Sequence, residues 1–205
     1  MSERERAIER VVRALCPEAS EHLPALSTFV GLVETWNAKL DLTGARDARA
    51  LADVMIADAL VLADPAFVAP GARLLDVGSG AGGPALPLAI VRPDVPVTML
   101  EPLQKRVAFL RTAIGTLRLA PRVTALAGRV ELASPTAPVA ADVTSARATF
   151  APTDWLAAGL ALAPSVLVLT TPQELPAGAA PAARRDYEWP GSGAPRVLLR
   201  FDRSA

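Results

Sequence analysis

Cysteine, histidine and aromatic residues are scarce in this 205-residue sequence, and each shortage excludes a class of protein. The single cysteine, Cys16, excludes an internal disulfide framework, and with the single histidine, His22, it cannot form a zinc cluster. Aromatic residues make up 4% of the chain, so few side chains can stack on unpaired bases. We therefore expect no metal site and a reducing, cytoplasmic environment.

A net charge of either sign and long apolar runs are missing as well. The formal net charge of zero argues against a uniformly basic nucleic-acid-binding protein but leaves a local basic patch open. The Ala-rich residues 50–75 are interrupted by Asp53, Asp58, Asp64 and Pro70, so this stretch is too polar to span a membrane. The first ten residues lack the apolar core of a signal peptide. Apolar residues still make up 51% of the chain, enough for a substantial core.

Two kinds of apolar periodicity divide the chain near residue 70. Before it, apolar residues recur at helical spacing, and Ser2 with Glu5 forms a capping-box pattern. After it, short apolar runs alternate with helical segments, which is typical of parallel βαβ units, and the ending RRDYEWPGSGAPRVLLRF predicts an antiparallel hairpin. We predict one domain, residues 1–205, with a helical N-terminal cap (1–69) and a mostly parallel α/β core (70–205). The predicted helices cover residues 2–15, 24–40, 47–62, 84–91, 103–119 and 153–163, the strands 73–77, 96–101, 122–127, 142–148 and 165–170, and a loop 172–181.

A glycine-rich loop follows the first predicted strand in LLDVGSGAGGPALPLAI (residues 74–90). Gly78, Gly80 and Gly83 fit the G-x-G-x-x-G pattern of dinucleotide-binding proteins. Gly78, Gly80 and Gly82 equally fit the G-x-G-x-G loop of S-adenosylmethionine-dependent methyltransferases. The glycine spacing therefore predicts a nucleotide cofactor without choosing between the two classes.

Asp76, at the carboxyl end of that strand, favours S-adenosylmethionine. A pyrophosphate beside the loop would be repelled by about 4 kcal/mol at roughly 4 Å and an effective dielectric near 20. S-adenosylmethionine instead brings a sulfonium and an ammonium cation, which suit a carboxylate. Glu101 ends the next strand, 21 residues after Gly80, where an acidic side chain binds ribose hydroxyls in both classes. Asp76 and Glu101 together predict a bound nucleoside.

With these residues, the chain resembles the bacterial small-subunit rRNA guanine-N7 methyltransferases, also called glucose-inhibited division protein B. The resemblance runs from about Trp36 to Phe150 and is most specific in LLDVGSGAGGPALPLAIVRPD. WNAKLDLTGARD precedes this segment and EPLQKRVAFLR follows it, with weaker matches in AGRVE and TSARA. The resemblance implies a Rossmann-like fold that uses S-adenosylmethionine. It implies cofactor-binding roles for Gly78, Gly83, Val130, Glu131 and Arg147, with Val130 and Glu131 near the adenine and Arg147 at the rim of the pocket.

Two blocks depart from the family pattern. VMIADA (residues 54–59) stands where the family carries an Arg-His pair, and Thr170-Thr171-Pro172 stands where it carries Lys-Gly. Both changes remove polar groups on the substrate side. Guanine N7 already has an available lone pair, so its methylation needs alignment and a desolvated pocket rather than a general base. We identify no catalytic residue, and three functions stay open: rRNA methylation, methylation of a small molecule, and cofactor binding without catalysis.

A local run of basic residues is the only electrostatic sign of an RNA partner. No acidic residue lies between Glu101 and Glu131, while six basic residues do. Phosphate contacts made by such residues are salt-sensitive, although a solvated helix face is the alternative interpretation. We predict that Lys105, Arg106 and Arg111 contact ribosomal RNA or the small ribosomal subunit, and we expect no membrane partner.

Overall fold

The computed structural model describes residues 1–176 and 180–203 and contains a seven-stranded mixed sheet. The strands are β1 (Leu74–Val77), β2 (Val97–Glu101), β3 (Val123–Ala127), β4 (Val143–Arg147), β5 (Ser165–Thr170), β6 (Ala183–Glu188) and β7 (Pro195–Asp202). They lie in the order β3-β2-β1-β4-β5-β7-β6. Strands β1 to β5 pair in parallel, whereas β7 is antiparallel to both β5 and β6.

Helices cover the sheet, and those before β1 all lie within residues 1–69, which the sequence analysis predicts to be a helical cap. A 3₁₀ helix (Pro17–His22) separates the first two, and a π-helical turn (Asp53–Ala57) separates the next two. None of the helices within the described ranges has the length and apolar character needed to cross a membrane. The α-helices are α1 (Glu3–Leu15), α2 (Leu23–Leu40), α3 (Ala48–Ala52), α4 (Asp58–Leu62), α5 (Ala85–Val91), α6 (Gln104–Thr116) and α7 (Pro152–Leu162).

The apolar sequence pattern accounts for these elements. The mostly parallel sheet flanked by helices confirms the predicted fold class. Ser2 accepts a hydrogen bond from the Glu5 amide and Glu5 accepts one from the Ser2 amide, as the capping box predicts. Successive β1 residues face opposite sides of the sheet, so Leu74 packs in the core shared with the cap and Leu75 in the core beneath α7. The C-terminal antiparallel hairpin is also confirmed.

Two predicted segments differ from the structure for local reasons. The helix predicted over 103–119 ends at Thr116, because Arg118 adopts a left-handed conformation (φ +57°) that cannot continue a helix. The single helix predicted over 47–62 contains the π-helical turn, which apolar periodicity does not reveal. In the predicted loop 172–181, residues 177–179 lie outside the described residues, and the others form neither helix nor strand.

The topology brings the predicted cofactor residues to one edge of the sheet. Parallel β1, β2 and β4 end side by side, so Asp76 lies opposite Ser145, and Glu101 ends the neighbouring strand. Strand order changes direction at β1, which has β2 on one side and β4 on the other. Ligands of open α/β sheets bind outside such a switch point, so the fold places the candidate site there.

Candidate active site

The glycine loop turns tightly at the end of β1. Gly78, Gly80 and Gly82 have φ values of +74°, +54° and +83°, which residues with a Cβ rarely adopt. These are the glycines of the G-x-G-x-G pattern. Gly83 is needed for a different reason, because a Cβ there would lie 3.0 Å from the Met55 carbonyl oxygen. The loop thus combines a sharp turn with close packing against the cap.

Glu101 is held at the base of this loop by backbone amides. Its two carboxylate oxygens accept hydrogen bonds from the amides of Gly80 and Leu103, each at 2.9 Å. The side chain is buried yet contributes to the lining of the adjacent cleft. Each oxygen retains a further lone pair, so Glu101 has the geometry and acceptor capacity to bind ribose hydroxyls.

Asp76 lies deeper than the sequence pattern indicates. It is 2% exposed, and its Oδ1 accepts a hydrogen bond from Ser145 Oγ at 2.6 Å. Burial raises the pKa of the Asp76 carboxyl above its ordinary value, against the opposing effect of the Ser145 hydrogen bond. Asp76 is not among the residues that line the two neighbouring clefts, so any effect on a cofactor would be exerted from beneath the loop.

Two adjoining clefts open above the loop, with volumes of about 640 Å³ and about 450 Å³. Gly80 borders the larger cleft, and a Cβ placed on it would contact only the Gly78 carbonyl oxygen, at 3.9 Å. The loop backbone is therefore open to a ligand. The residues that line both clefts are Gly78, Pro102, Thr149 and Phe150. An elongated molecule with two different ends fits this arrangement.

The smaller cleft contains the residues expected near the adenine. Val130 and Glu131 line it together with Gly128 and Arg129. Val130 is buried, whereas Glu131 is exposed. Together with Glu101 in the larger cleft, these side chains fit a nucleoside placed across the boundary between the clefts.

Cap residues form one wall of the larger cleft. The Asn37 side chain accepts a hydrogen bond from the Thr43 amide (2.9 Å) and donates one to the Thr43 carbonyl (3.0 Å). This closes the loop after α2 and places Leu42 and Thr43 at the cleft. The WNAKLDLT segment thus contributes a shaped wall.

The C-terminal hairpin forms another wall through a buried carboxylate that the sequence analysis missed. Asp58 is 2% exposed and accepts hydrogen bonds from Tyr187 Oη (2.7 Å), Trp189 Nε1 (2.8 Å) and Arg147 Nη1 (2.9 Å). Arg147 also donates to the Val54 carbonyl oxygen. Burial, followed by the negative charge of Asp58, raises the pKa of the Tyr187 phenol far above its usual range. The only sequence signal was an acid within an apolar helical stretch.

The predicted RNA-contacting residues are not gathered at the cleft. Arg106 lines the larger cleft, and its Nη2 lies 3.5 Å from the Asp41 carbonyl oxygen. Lys105 is exposed and does not line the cleft. Arg111 donates to the Ala125 carbonyl through Nε and Nη2, both at 3.3 Å, and so contacts β3. Within residues 1–176 and 180–203, no group of three or more His, Cys, Asp or Glu side chains is arranged to hold a metal ion.

A glycine turn at a switch point, a carboxylate at the end of β2 and paired clefts are together typical of Rossmann-like S-adenosylmethionine-dependent methyltransferases. Residues 22–161 match the model of the GidB family, rRNA small subunit methyltransferase G, and the chain belongs to that family. The predicted family, fold, cofactor and methyltransferase class are thereby confirmed, as is the predicted rRNA methyltransferase function at the level of the family.

Individual relatives agree with this assignment. Ribosomal RNA small subunit methyltransferase G of Neisseria gonorrhoeae is 37% identical over 147 residues, which cover 71% of this chain and 68% of that protein. The proteins of the same name from Salinispora tropica and Klebsiella pneumoniae are 40% and 42% identical. Their matches cover 67% and 52% of this chain and 57% and 49% of those proteins.

Solved structures support the fold. PH1948 from Pyrococcus horikoshii aligns with a TM-score of 0.51 and 11% identity, over 72% of this chain and 82% of that one. Sp1610 from Streptococcus pneumoniae aligns with a TM-score of 0.50 and 17% identity, over 72% of this chain and 70% of that one. At these identities the likeness supports the Rossmann-like architecture alone.

Proposed function

We propose that this protein transfers the methyl group of S-adenosylmethionine to guanine N7 in small-subunit ribosomal RNA, which it binds in the larger cleft. The observation that carries the proposal is the pair of clefts joined over the glycine loop, with Glu101 clamped beside that loop. Family membership supports the rRNA as the acceptor.

Each predicted cofactor residue has a proposed part in this arrangement. Glu101 binds the ribose hydroxyls, while Val130 and Glu131 flank the adenine. Gly78 and Gly80 allow the backbone to approach the cofactor, and Gly83 fixes the loop against the cap. Asp76 supplies a negative charge beneath the positively charged end of the ligand, and Arg147 borders the acceptor side.

Methyl transfer to guanine N7 requires alignment of the base with the methyl group rather than removal of a proton. When bound, the cofactor supplies an electrophilic methyl group on a sulfonium. Guanine N7 attacks with its own lone pair, so the enzyme needs no general base at that atom. The walls formed by Leu42, Thr43 and the C-terminal hairpin would exclude water and orient the base, an effect that contributes several kcal/mol in well-aligned reactions. Asp76, buried below the loop, has no access to an acceptor proton.

The basic residues are assigned different parts in RNA binding. We propose that Arg106, at the cleft, contributes most of the phosphate contact, with Lys105 and Arg111 adding to it. Replacing all three with Gln should weaken RNA binding and flatten its dependence on salt, by about 0.7 to 0.9 in the logarithmic slope for each lost phosphate contact. Because Arg111 also donates to the Ala125 carbonyl, the single variant Arg111→Gln should change RNA binding and its salt dependence less than Arg106→Gln does.

Transfer of a labelled methyl group tests the function. The protein is incubated with labelled S-adenosylmethionine and with small ribosomal subunits, extracted RNA or a whole-cell extract from a bacterial strain that lacks the endogenous enzyme. We expect label in the small-subunit rRNA, and none with a Gly78→Val variant. Label found only in the small-molecule fraction of a cell extract would overturn the rRNA acceptor and leave methyl transfer intact.

A further inference from the structure

The C-terminal hairpin, β6 and β7, lies beyond residues 22–161 that match the family, yet it forms part of the larger cleft. Tyr187, Trp189 and Arg196 line the cleft from this hairpin. The Arg196 guanidinium lies 3.7 Å from the centroid of the Trp189 ring. Guanidinium and indole planes are the platforms on which proteins commonly stack unpaired RNA bases.

The Arg196 charge is left available on this wall. Its hydrogen bond is to the Pro195 carbonyl, at 3.3 Å, and among the described residues no carboxylate lies within ion-pair distance of it. By contrast, Arg184 on the same hairpin is paired with Asp186 at 2.7 Å and lies outside the cleft. The other two hairpin arginines, Arg185 and Arg200, are also paired with carboxylates, so Arg196 is the hairpin arginine without an acidic partner among the described residues, and it faces the cleft.

Asp58 connects this wall to the cap. Its three hydrogen-bond donors, on Arg147, Tyr187 and Trp189, all belong to residues that line the cleft. A buried carboxylate is tolerated only when donors compensate for its lost hydration, so these side chains are held together as a unit. Moving Asp58 would displace the platform beneath Arg196.

Asp53, one π-helical turn earlier, attaches the backbone of the hairpin to the cap. It is 1% exposed and accepts hydrogen bonds from the amides of Gly191 (2.8 Å) and Ser192 (2.9 Å) in the hairpin loop. Asp53 does not line the cleft. The backbone of the hairpin is therefore already anchored, and Asp58 adds control over side chains that face the ligand.

From this contrast we infer that Asp58 is a positioning residue for the RNA acceptor, and that the Trp189–Arg196 pair it supports is the platform for an unpaired base. This inference rests on the proposed function. It assigns recognition of the acceptor to the C-terminal hairpin, whereas the proposed cofactor contacts lie at or after the ends of β1, β2 and β3.

The test separates acceptor recognition from cofactor binding. Asp58→Asn, Tyr187→Phe and the matched control Asp53→Asn are compared with the parent for the KM of small-subunit RNA, for kcat, and for S-adenosylhomocysteine affinity by calorimetry. Asp58→Asn should raise the RNA KM about 10- to 100-fold, as expected for lost hydrogen bonds to a charged group, and change cofactor affinity less than about twofold. Tyr187→Phe should raise the KM about fivefold.

Asp53→Asn should lower the unfolding temperature and leave the RNA KM unchanged. An unchanged KM in both Asp58→Asn and Tyr187→Phe would overturn the inference, as would an equal rise in Asp53→Asn, since that would reduce Asp58 to an anchor. If Asp58→Asn does not fold, Tyr187→Phe decides, because it removes one hydrogen bond with little change in volume. A parent that methylates no RNA would instead overturn the proposed function.

Discussion

Aspartates at the two edges of the parallel sheet differ in exposure, in arginine contacts and in the direction of their pKa shifts. At the amino edge, Asp94 and Asp142 are partly exposed and each forms a two-point contact with an arginine. The Arg92 guanidinium holds the pKa of Asp94 well below its usual range, and Arg73 lowers the pKa of Asp142 to about 2. At the carboxyl edge, Asp76 is buried without an arginine hydrogen bond, and burial raises its pKa.

This difference in pKa indicates that the amino-edge aspartates contribute to stability and that the carboxyl-edge aspartate contributes to function. A carboxylate whose pKa is lowered in the folded state stabilises the fold at neutral pH, whereas one whose pKa is raised by burial destabilises it. The carboxyl edge keeps such a charge beside the glycine loop, where we propose that it faces a cationic ligand. Natural proteins commonly accept reduced stability at functional sites in this way.

The largest expected effect is at the carboxyl edge, from Gly78→Val. A valine at this position would have to keep its backbone at φ +74°. Its Cβ would lie 2.4 Å from Thr149 Oγ1, at the boundary between the clefts. We expect S-adenosylhomocysteine affinity, measured by calorimetry, to fall roughly 100-fold.

Gly193→Val is the matched control for backbone strain. Gly193 has φ +72°, and a Cβ there meets nothing within 4 Å. Both variants should lose about 1–2 kcal/mol of stability to the left-handed backbone conformation, and Gly78→Val should lose somewhat more because of its overlap with Thr149, but only Gly78→Val should lose cofactor affinity. Equal affinities in the two variants would contradict the assigned position of the cofactor.

Glu101→Ala should have the next largest effect. It removes the proposed ribose contact and also the acceptor for the Gly80 and Leu103 amides, so cofactor binding should weaken by about 1–3 kcal/mol. Calorimetric titration of parent and variant with S-adenosylhomocysteine measures the difference. If the variant titrates like the parent, Glu101 does not bind the ribose.

Asp76→Asn should remove the loss of folding stability that comes from ionising a buried carboxyl group. The folded-state pKa of Asp76 lies above its ordinary value of 3.8, so its ionisation destabilises the fold increasingly as pH rises from that value. Relative to the parent, the Asn variant should gain a few degrees in unfolding temperature between pH 4 and pH 7. Thermal unfolding across this range measures the effect, and a parallel pH dependence in the two proteins would contradict it.

Asp142→Asn should give the smallest effect, with the opposite sign. The pKa of Asp142, lowered to about 2, means that its ionisation stabilises the fold above pH 3.8 and that this contribution is lost as pH falls toward 2. Because the pair is partly exposed, we expect the variant to lose about 1 kcal/mol at pH 7. Denaturant unfolding should show no such loss at pH 2, and an equal loss at both values would exclude the ion pair as its cause.

The same contrast shows how far the sequence predicts the site. Gly78, Asp76 and Glu101 follow from local patterns, because a strand, its turn and the next strand lie close together in the chain. Asp58 does not, since it meets Tyr187 and Trp189 across 129 and 131 residues. No local pattern indicates which hairpin will cover which helix.

The burial of Asp76 and the hydrogen bonds of Arg111 also could not be predicted from the sequence. Asp76 has the position expected of a cofactor residue, but its depth depends on how β4 places Ser145 beside it. Arg111 belongs to the basic run, yet its guanidinium contacts the Ala125 carbonyl on β3. Both facts follow from tertiary packing rather than from residue type.

Mapping the methylated atom tests whether this protein transfers the methyl group to guanine N7. Small-subunit RNA from a strain that lacks the endogenous enzyme is treated with the protein and S-adenosylmethionine, then reduced with borohydride and exposed to aniline, which cleaves RNA at N7-methylguanosine. We predict one new strand break at a guanine, absent with the Gly78→Val variant. Methyl incorporation into this RNA without any new break would contradict transfer to guanine N7.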